Sequence, residues 1–221
     1  MALTLIDKQD TFEIIRDQIA AILALEVTNQ KALAVIAAKD PALWDLKIYT
    51  ERSNPWEQYD SDNPDPTPIV NIWFDTVQFD KSASNLVERQ KGTGVFNIDC
   101  YAIGVSQTDG AGHKPGDKEA ALNVQRAVRL VRNILMAAEN MYLQLTRGVA
   151  WDRIPQAITI FQPAIDARQI QQIVGARLAF NVSYNEFSPQ VVGEILELLS
   201  VDVIRTEDGQ IVAEADYVYP L

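Results

Sequence analysis

One cysteine and one histidine are all that the 221 residues contain. A lone Cys100 excludes an internal disulfide framework and a multi-cysteine zinc site. A lone His113 excludes a metal site built on two or three histidines. This cysteine usage fits a reducing, cytosolic origin. No uninterrupted apolar run reaches 18 residues, so no transmembrane helix and no membrane partner are expected. The opening MALTLIDKQD carries no cationic stretch ahead of a hydrophobic one, so no secretory signal is expected. Positive charge is also scarce. Nineteen Lys and Arg stand against 30 Asp and Glu, giving a formal net charge of −11. That balance argues against a protein that grips nucleic-acid phosphates over its whole surface, while allowing DNA to pass close by without being held. What remains, 48% hydrophobic and 22% charged residues, is a globular composition suited to one large domain or a domain with arms.

Motifs for chemistry are missing too. Gly110, Gly112 and Gly116 precede a helical pattern, but five residues after Gly110 comes Pro115 and five after Gly112 comes Asp117. The phosphate-loop spacing G-x-x-x-x-G-K-[ST] is therefore not met, and Asp117 would repel a phosphate. Neither G-x-S-x-G nor H-E-x-x-H occurs. A Cys100/His113 nucleophilic pair is conceivable, yet Cys100 falls on the apolar face of a strand pattern, where a buried inert thiol is expected. Asp60, Asp62, Asn63 and Asp65 resemble a calcium loop in composition only, because Asp65 stands where the EF-hand needs Gly and Asn71 where it needs Glu. No catalytic, cofactor-binding or metal residue is assigned, and no enzyme is expected.

The strongest periodic signal runs from Asp117 to about Arg147. Val124, Ala127, Val128, Val131, Ile134, Leu135, Ala138, Met141, Tyr142 and Leu145 follow the spacing of one buried helix face. A helix of that length is about 45 Å long. Its opposite face carries Arg126, Arg129 and Arg132, a stripe that is either solvated or paired with acids of a neighbouring subunit. Asp10 and Glu13 have capping-box spacing ahead of a first helix over 10–25. Val27-Thr28-Asn29 predicts an interruption and a second short helix over 30–38.

Strands are predicted at 46–50, 69–77, 95–105, 157–165 and 170–187. Val70, Ile72 and Phe74 alternate with Asn71, Trp73 and Asp75; Phe96, Ile98, Cys100 and Ala102 alternate with Asn97, Asp99 and Tyr101. Period-two patterning with one polar face predicts a half-buried antiparallel sheet. The last strand is long enough to project or to bulge at Gly175. Between the first two strands, residues 51–68 form a polar, proline-rich loop; its Trp56 and Tyr59 either contact a partner or fold back onto the domain. Residues 107–116 read as a flexible loop. At the end, Val201 to Arg205 and Ile211 to Ala213 flank Thr206-Glu207-Asp208-Gly209, a hairpin signal. A hairpin needs something to pack on, so Val201, Val203 and Ile211 are candidate inter-subunit contacts together with Trp56, Tyr59 and the three arginines. Runs of strands with few helices predict an α+β fold: a mainly antiparallel sheet with the long and N-terminal helices on one face, protruding loops, a core over 1–190 and a C-terminal hairpin arm over 191–221.

The strands IVNIWFDTV and VFNIDCYAIGV, the helix opening DKEAALNVQRAVRLVRNIL and the strand GARLAFNVSYNEF, in that order, resemble the tail terminator proteins of long-tailed bacteriophages. The resemblance covers roughly residues 10–187 and lies in element order and texture. The second N-terminal helix and the longer tail after Phe187 depart from the family's small members. The resemblance implies a structural virion protein in the tail or neck, assembled in the host cytoplasm. It implies a hexameric ring capping the tail tube, with tail tube protein on one face, a head-completion or neck protein on the other, and genomic DNA passing through the lumen without specific binding. Another head–tail connector or neck ring protein is the nearest alternative. The alternative from a different class is a ligand-binding or enzymatic α+β domain using the Gly-rich loop 107–116.

Overall fold

A computed structural model describes residues 9–59, 65–81, 89–104, 107–109, 112–114, 116–163, 172–187, 198–204 and 211–218. The chain falls into two compact units, Asp7–Ser188 and a second made of Met1–Ile6 with Pro189–Leu221.

The larger unit is α+β. Its five-stranded sheet contains β1 (Lys47–Thr50), β2 (Ile69–Phe79), β3 (Arg89–Gly104), β6 (Ala150–Phe161) and β7 (Gln172–Phe187), in the spatial order β1-β2-β3-β7-β6. All neighbours are antiparallel except β1 and β2, which run parallel. Two helices, α1 (Thr11–Ile36) and α2 (Gly116–Met136), pack on the sheet. Between β3 and α2 the backbone forms two short paired strands, β4 (Gln107–Asp109) and β5 (Gly112–Lys114), where the residue pattern suggests only a loop. The period-two expectation sets the layers. Val70, Ile72, Phe96, Ile98, Cys100, Leu178, Phe180 and Val182 are buried with Ile15, Ile19 and Leu23 of α1 and Val124, Val128, Val131 and Leu135 of α2 in one core.

Several local features differ from the residue pattern. Helix α1 runs unbroken through Val27-Thr28-Asn29. The Thr28 hydroxyl donates to the Ala24 carbonyl, and Asn29 and Gln30 donate to the Glu26 carboxylate. These polar side chains are satisfied on the helix, so their weak propensity costs only tenths of a kcal/mol each, about what host peptides show. Helix α1 is also long and apolar enough to cross a membrane by length and composition, although Ile15, Ile19, Ile22 and Leu23 are buried against the sheet. At its start, the Glu13 carboxylate accepts from the Asp10 amide at 3.0 Å, and Glu186 of β7 accepts from both the amide and the hydroxyl of Thr11.

Helix α2 stops at Met136, well short of Arg147, and at 21 residues is about 31 Å long. Buried Asn140 donates to the Ile134 carbonyl, and Arg153 of β6 donates to the Ala137 carbonyl, both at 2.8 Å. These side chains take the carbonyls that another helical turn would use. The following turn places Leu143 and Gln144 at positive φ. Gly92 and Gly94 lie inside β3, where a Cβ would press on Val77 and Phe79 or on the Tyr184 ring. At Gly175 the register is regular, not bulged. The glycine is needed because the Phe161 ring of the paired strand lies over it, 2.6 Å from where a Cβ would sit. The bulges fall in β6 instead, between Ala150 and Asp152 and between Pro155 and Ala157, and in β2 between Phe74 and Thr76.

The smaller unit contains a hairpin of β8 (Leu198–Ile204) and β9 (Ile211–Val218), with Val201 opposite Ala215, Val203 opposite Ala213 and Ile204 opposite Ile211.

Where β3 ends, Gly104 meets the first turn of α2: a Cβ would collide with the Gly116 carbonyl and lie 2.7 Å from the Ala120 nitrogen. Both obstacles are backbone, so neither yields cheaply. Gly104→Ala is expected to destabilise the unit by about 1–3 kcal/mol. At about 2–4 °C per kcal/mol for a domain of this size, thermal unfolding followed by circular dichroism will measure it.

Candidate functional site

The helices cover one face of the sheet. On the other face, β2, β3 and β7 bring Asn71, Asp99 and Arg177 into directly opposed positions. The Arg177 guanidinium donates through Nε to Asp99 Oδ1 at 2.7 Å and through Nη2 to Oδ2 at 2.9 Å. Trp73 Nε1 donates to the same carboxylate at 3.0 Å and the Tyr101 hydroxyl at 3.3 Å. The Asp99 side chain is 3% exposed and that of Arg177 41%. A bidentate ion pair thus has its anion below the surface and its cation above it. The guanidinium also lies 4.9 Å from the centre of the Trp73 ring and 5.7 Å from that of Phe161. These rings hold its plane in place and add cation–π attraction. Burial, and then the adjacent Asp99 carboxylate, push the Tyr101 phenol above its ordinary range, so it stays a donor.

Around this pair lies a cleft of about 460 Å³, lined by Trp56, Trp73, Tyr101, Phe161, Arg52 and Glu51 among others. The loop after β1 forms one wall. Its start is pinned by Asn71, whose Oδ1 accepts from the Arg52 amide and whose Nδ2 donates to the Arg52 carbonyl. Residues Pro55–Tyr59 form a 3-10 turn that sets the Trp56 ring 5.3 Å from Tyr101. Tyr59, 1% exposed, folds back: its hydroxyl is 2.9 Å from the Thr67 carbonyl oxygen and 3.1 Å from that of Tyr101. Of the two expected contact aromatics, Trp56 lines the cleft and Tyr59 is core. The loop's return is tied by Asp65, which pairs with Lys47 at 2.9 Å and accepts from the amide and hydroxyl of Thr67. The Lys47 hydrogen bond, and then those from Thr67, hold the Asp65 carboxyl well below the usual range. Asp60, Asp62 and Asn63, the rest of the calcium-like composition, lie outside the described residues.

Two of the five guanidinium N–H groups of Arg177 are taken by Asp99. The remainder face a cleft walled by aromatic rings, an arrangement suited to one anionic group carried on an apolar or aromatic body. Sequence reasoning missed it because Asp99 and Arg177 are 78 residues apart and meet only through the strand register. Among the described residues, no three His, Cys, Asp or Glu side chains are grouped to hold a metal ion. Cys100 is fully buried in the core, and burial pushes its thiol up.

The other expected contacts lie elsewhere. Arg126, Arg129 and Arg132 are on the outer side of α2, with Arg129 and Arg132 exposed. Val201, Val203 and Ile211 belong to the hairpin of the separate smaller unit. Against known proteins, the chain matches no family model, and no curated sequence matches it.

Two substitution sets probe this face. Arg177→Met strands a nearly buried carboxylate; breaking such a pair costs about 3–5 kcal/mol when both partners are buried, and less here because Arg177 is partly solvated. Adding Asp99→Asn is expected to recover most of that loss in urea unfolding, as the Trp73 and Tyr101 donors keep an acceptor. Asp65→Asn is expected to cost under about 1 kcal/mol at pH 7, since the pair is at the surface. Because the folded-state pKa is depressed, this contribution is present above the unfolded value of about 3.9 and fades as pH falls through the folded one. The unfolding midpoints of the wild type and the Asp65→Asn variant should therefore converge in acid.

Proposed function

We propose that this protein is a structural ring component of a long-tailed phage virion, of the tail-terminator kind. In this reading it self-associates head to tail, caps the tail tube and joins it to a head-completion or neck protein. DNA passes the lumen without being gripped, in keeping with the net charge of −11. The element order supports the reading through the resemblance drawn from the residues.

The observation that carries it is a pair of unlike apolar surfaces at the two edges of one sheet. At one edge, β6 exposes Trp151, Ile154, Ile158 and Ile160. Ile158 and Ile160 pair with Leu178 and Ala176, which puts them on the helix-covered side of the sheet, yet both are close to half exposed. At the other edge lies β1 with α1 over it. Between them runs a groove lined by Ala20, Ala21, Ala24 and Ile48, and the far half of α1 exposes Leu25, Leu33, Val35 and Ile36. Two different sticky edges on one chain suit heterologous contacts, which close into a ring when the rotation fits. Pro155 and the two bulges interrupt the outer edge of β6, so the contact works through side chains more than through an added strand ladder.

Light scattering with negative-stain imaging tests this: the 24.7 kDa chain is expected to form closed multimers, alone or on tail tubes. Ile158→Lys with Ile160→Lys, or Ala21→Arg, should abolish them while moving stability by no more than about 0.5 kcal/mol, as surface changes usually do. A chain that stays monomeric both alone and with tubes overturns the reading. Co-assembly with a portal-side protein in place of tail tubes would favour the neck-ring alternative.

A further inference from the structure

Among the described residues, the outer side of α2 is a cationic surface without counter-ions. Between Glu119 and Glu139 the chain has no acidic residue, yet it carries Arg126, Arg129 and Arg132. Spacing of three along a helix puts successive arginines about 4.5 Å apart along the axis. Among the described residues, none of the three makes an ion pair, although Arg16, Lys31, Lys47 and Arg177 all do. Exposed Leu122 and Met136 add apolar area on the same helix.

The smaller unit is the reverse. Residues 189–221 hold seven acids (Glu194, Glu197, Asp202, Glu207, Asp208, Glu214 and Asp216) against Arg205, so 33 residues carry six of the eleven net negative charges. The hairpin register sets Asp202 opposite Glu214 and Ser200 opposite Asp216, at positions of one face. Leu199, Val201, Val203, Ala213, Ala215 and Tyr217 occupy positions of the other. Like charges directly opposite on paired strands destabilise a hairpin, and an isolated hairpin is marginal in water. Such an element is stabilised by a cationic counter-surface. Cross-strand neighbours stand about 5 Å apart and alternate residues about 7 Å, a spacing that the arginine stripe can meet.

We infer that the acidic C-terminal hairpin of one copy docks on the arginine stripe of α2 of a second copy, Asp202, Glu214 and Asp216 facing Arg126, Arg129 and Arg132. This rests on the self-association proposed above. It names a second contact, electrostatic where the edge contact is apolar, and so gives the assembly a strap between neighbours. Charge pairs of this kind set register and partner choice, and they weaken as salt rises.

The test uses full-length chains. Arg129→Cys and Glu214→Cys are placed on separate chains with different tags, co-expressed, and treated with a short bismaleimide; buried Cys100 serves as the unreactive control in wild type. A linked pair of two differently tagged chains is expected. Its yield should fall at least severalfold between 0.1 M and 1 M NaCl. Reversing the three arginines to Glu should weaken association at least tenfold, and co-expression with Asp202→Lys, Glu214→Lys, Asp216→Lys chains should restore it. Multimers that persist with no link between copies overturn the strap and leave the edge-to-edge reading standing. A link that forms only inside one chain carrying both cysteines also overturns it, showing that the hairpin returns to its own helix. Chains that are monomeric and unlinked, with tubes and without, overturn both proposals.

Discussion

Everything in the larger unit depends on the ladder between β3 and β7. It runs from Arg89 opposite Phe187 to Gly104 opposite Gln172 with no bulge. Because side chains alternate with a period of two, a slip of one residue would turn over the faces of one strand relative to the other. Either Phe96 and Ile98 or Leu178 and Phe180 would then leave the helix-covered core, and Asp99 or Arg177 would enter it without the other. The penalty for burying such an unpaired charge is several kcal/mol, which fixes the register as firmly as the apolar gain does. The ion pair is thus a register lock as well as the centre of the cleft.

The same ladder explains why the layers are unequal. Helix α2 lies over β3 and β7, and α1 lies towards β1 and β2. Two helices of these lengths do not cover five strands, so β6 is left with apolar residues uncovered on the helix side. On the opposite face the second cluster, Tyr59, Ile69, Tyr101, Ile103 and Ile173, is covered by the loop carrying Trp56 rather than by a helix. Both the cleft and the sticky edge therefore follow from one shortage of helical cover.

What the residues alone made legible was period and polarity. The alternation in 69–77, 95–105 and 173–187 placed the helix-covered face of the three central strands, and the apolar stripe from Val124 to Leu135 placed the buried face of α2. The polar face was expected in solvent, yet Asn71, Asn97, Asp99 and Tyr101 are buried there too, under the loop and side chains that wall the cleft. Tertiary partners decided the rest. The end of α2 is set by Asn140 and by Arg153, which comes from a strand beyond the turn. Gly92, Gly94 and Gly175 look like breakers locally, but they answer to the side chains of Val77, Phe79, Tyr184 and Phe161 on neighbouring strands. The parallel pairing of β1 with β2 is invisible to period, which reports faces and not direction. Asp99 and Arg177 each look like ordinary solvent-side residues until the register joins them.

The ladder also has a kinetic side. Its paired residues are separated by between 68 positions, for Gly104 and Gln172, and 98, for Arg89 and Phe187. Contacts so distant along the chain require a large loop to close before they stabilise anything, which makes folding slow. On the ribosome, β3 and α2 emerge long before β7 does, and β7 is the strand that joins β6 to the sheet. Until the chain has been made through Phe187, the apolar faces of β2, β3 and α2 have no complete partner. A nascent chain of this protein therefore passes through an extended period of exposed hydrophobic surface, the condition in which chaperone engagement decides its yield.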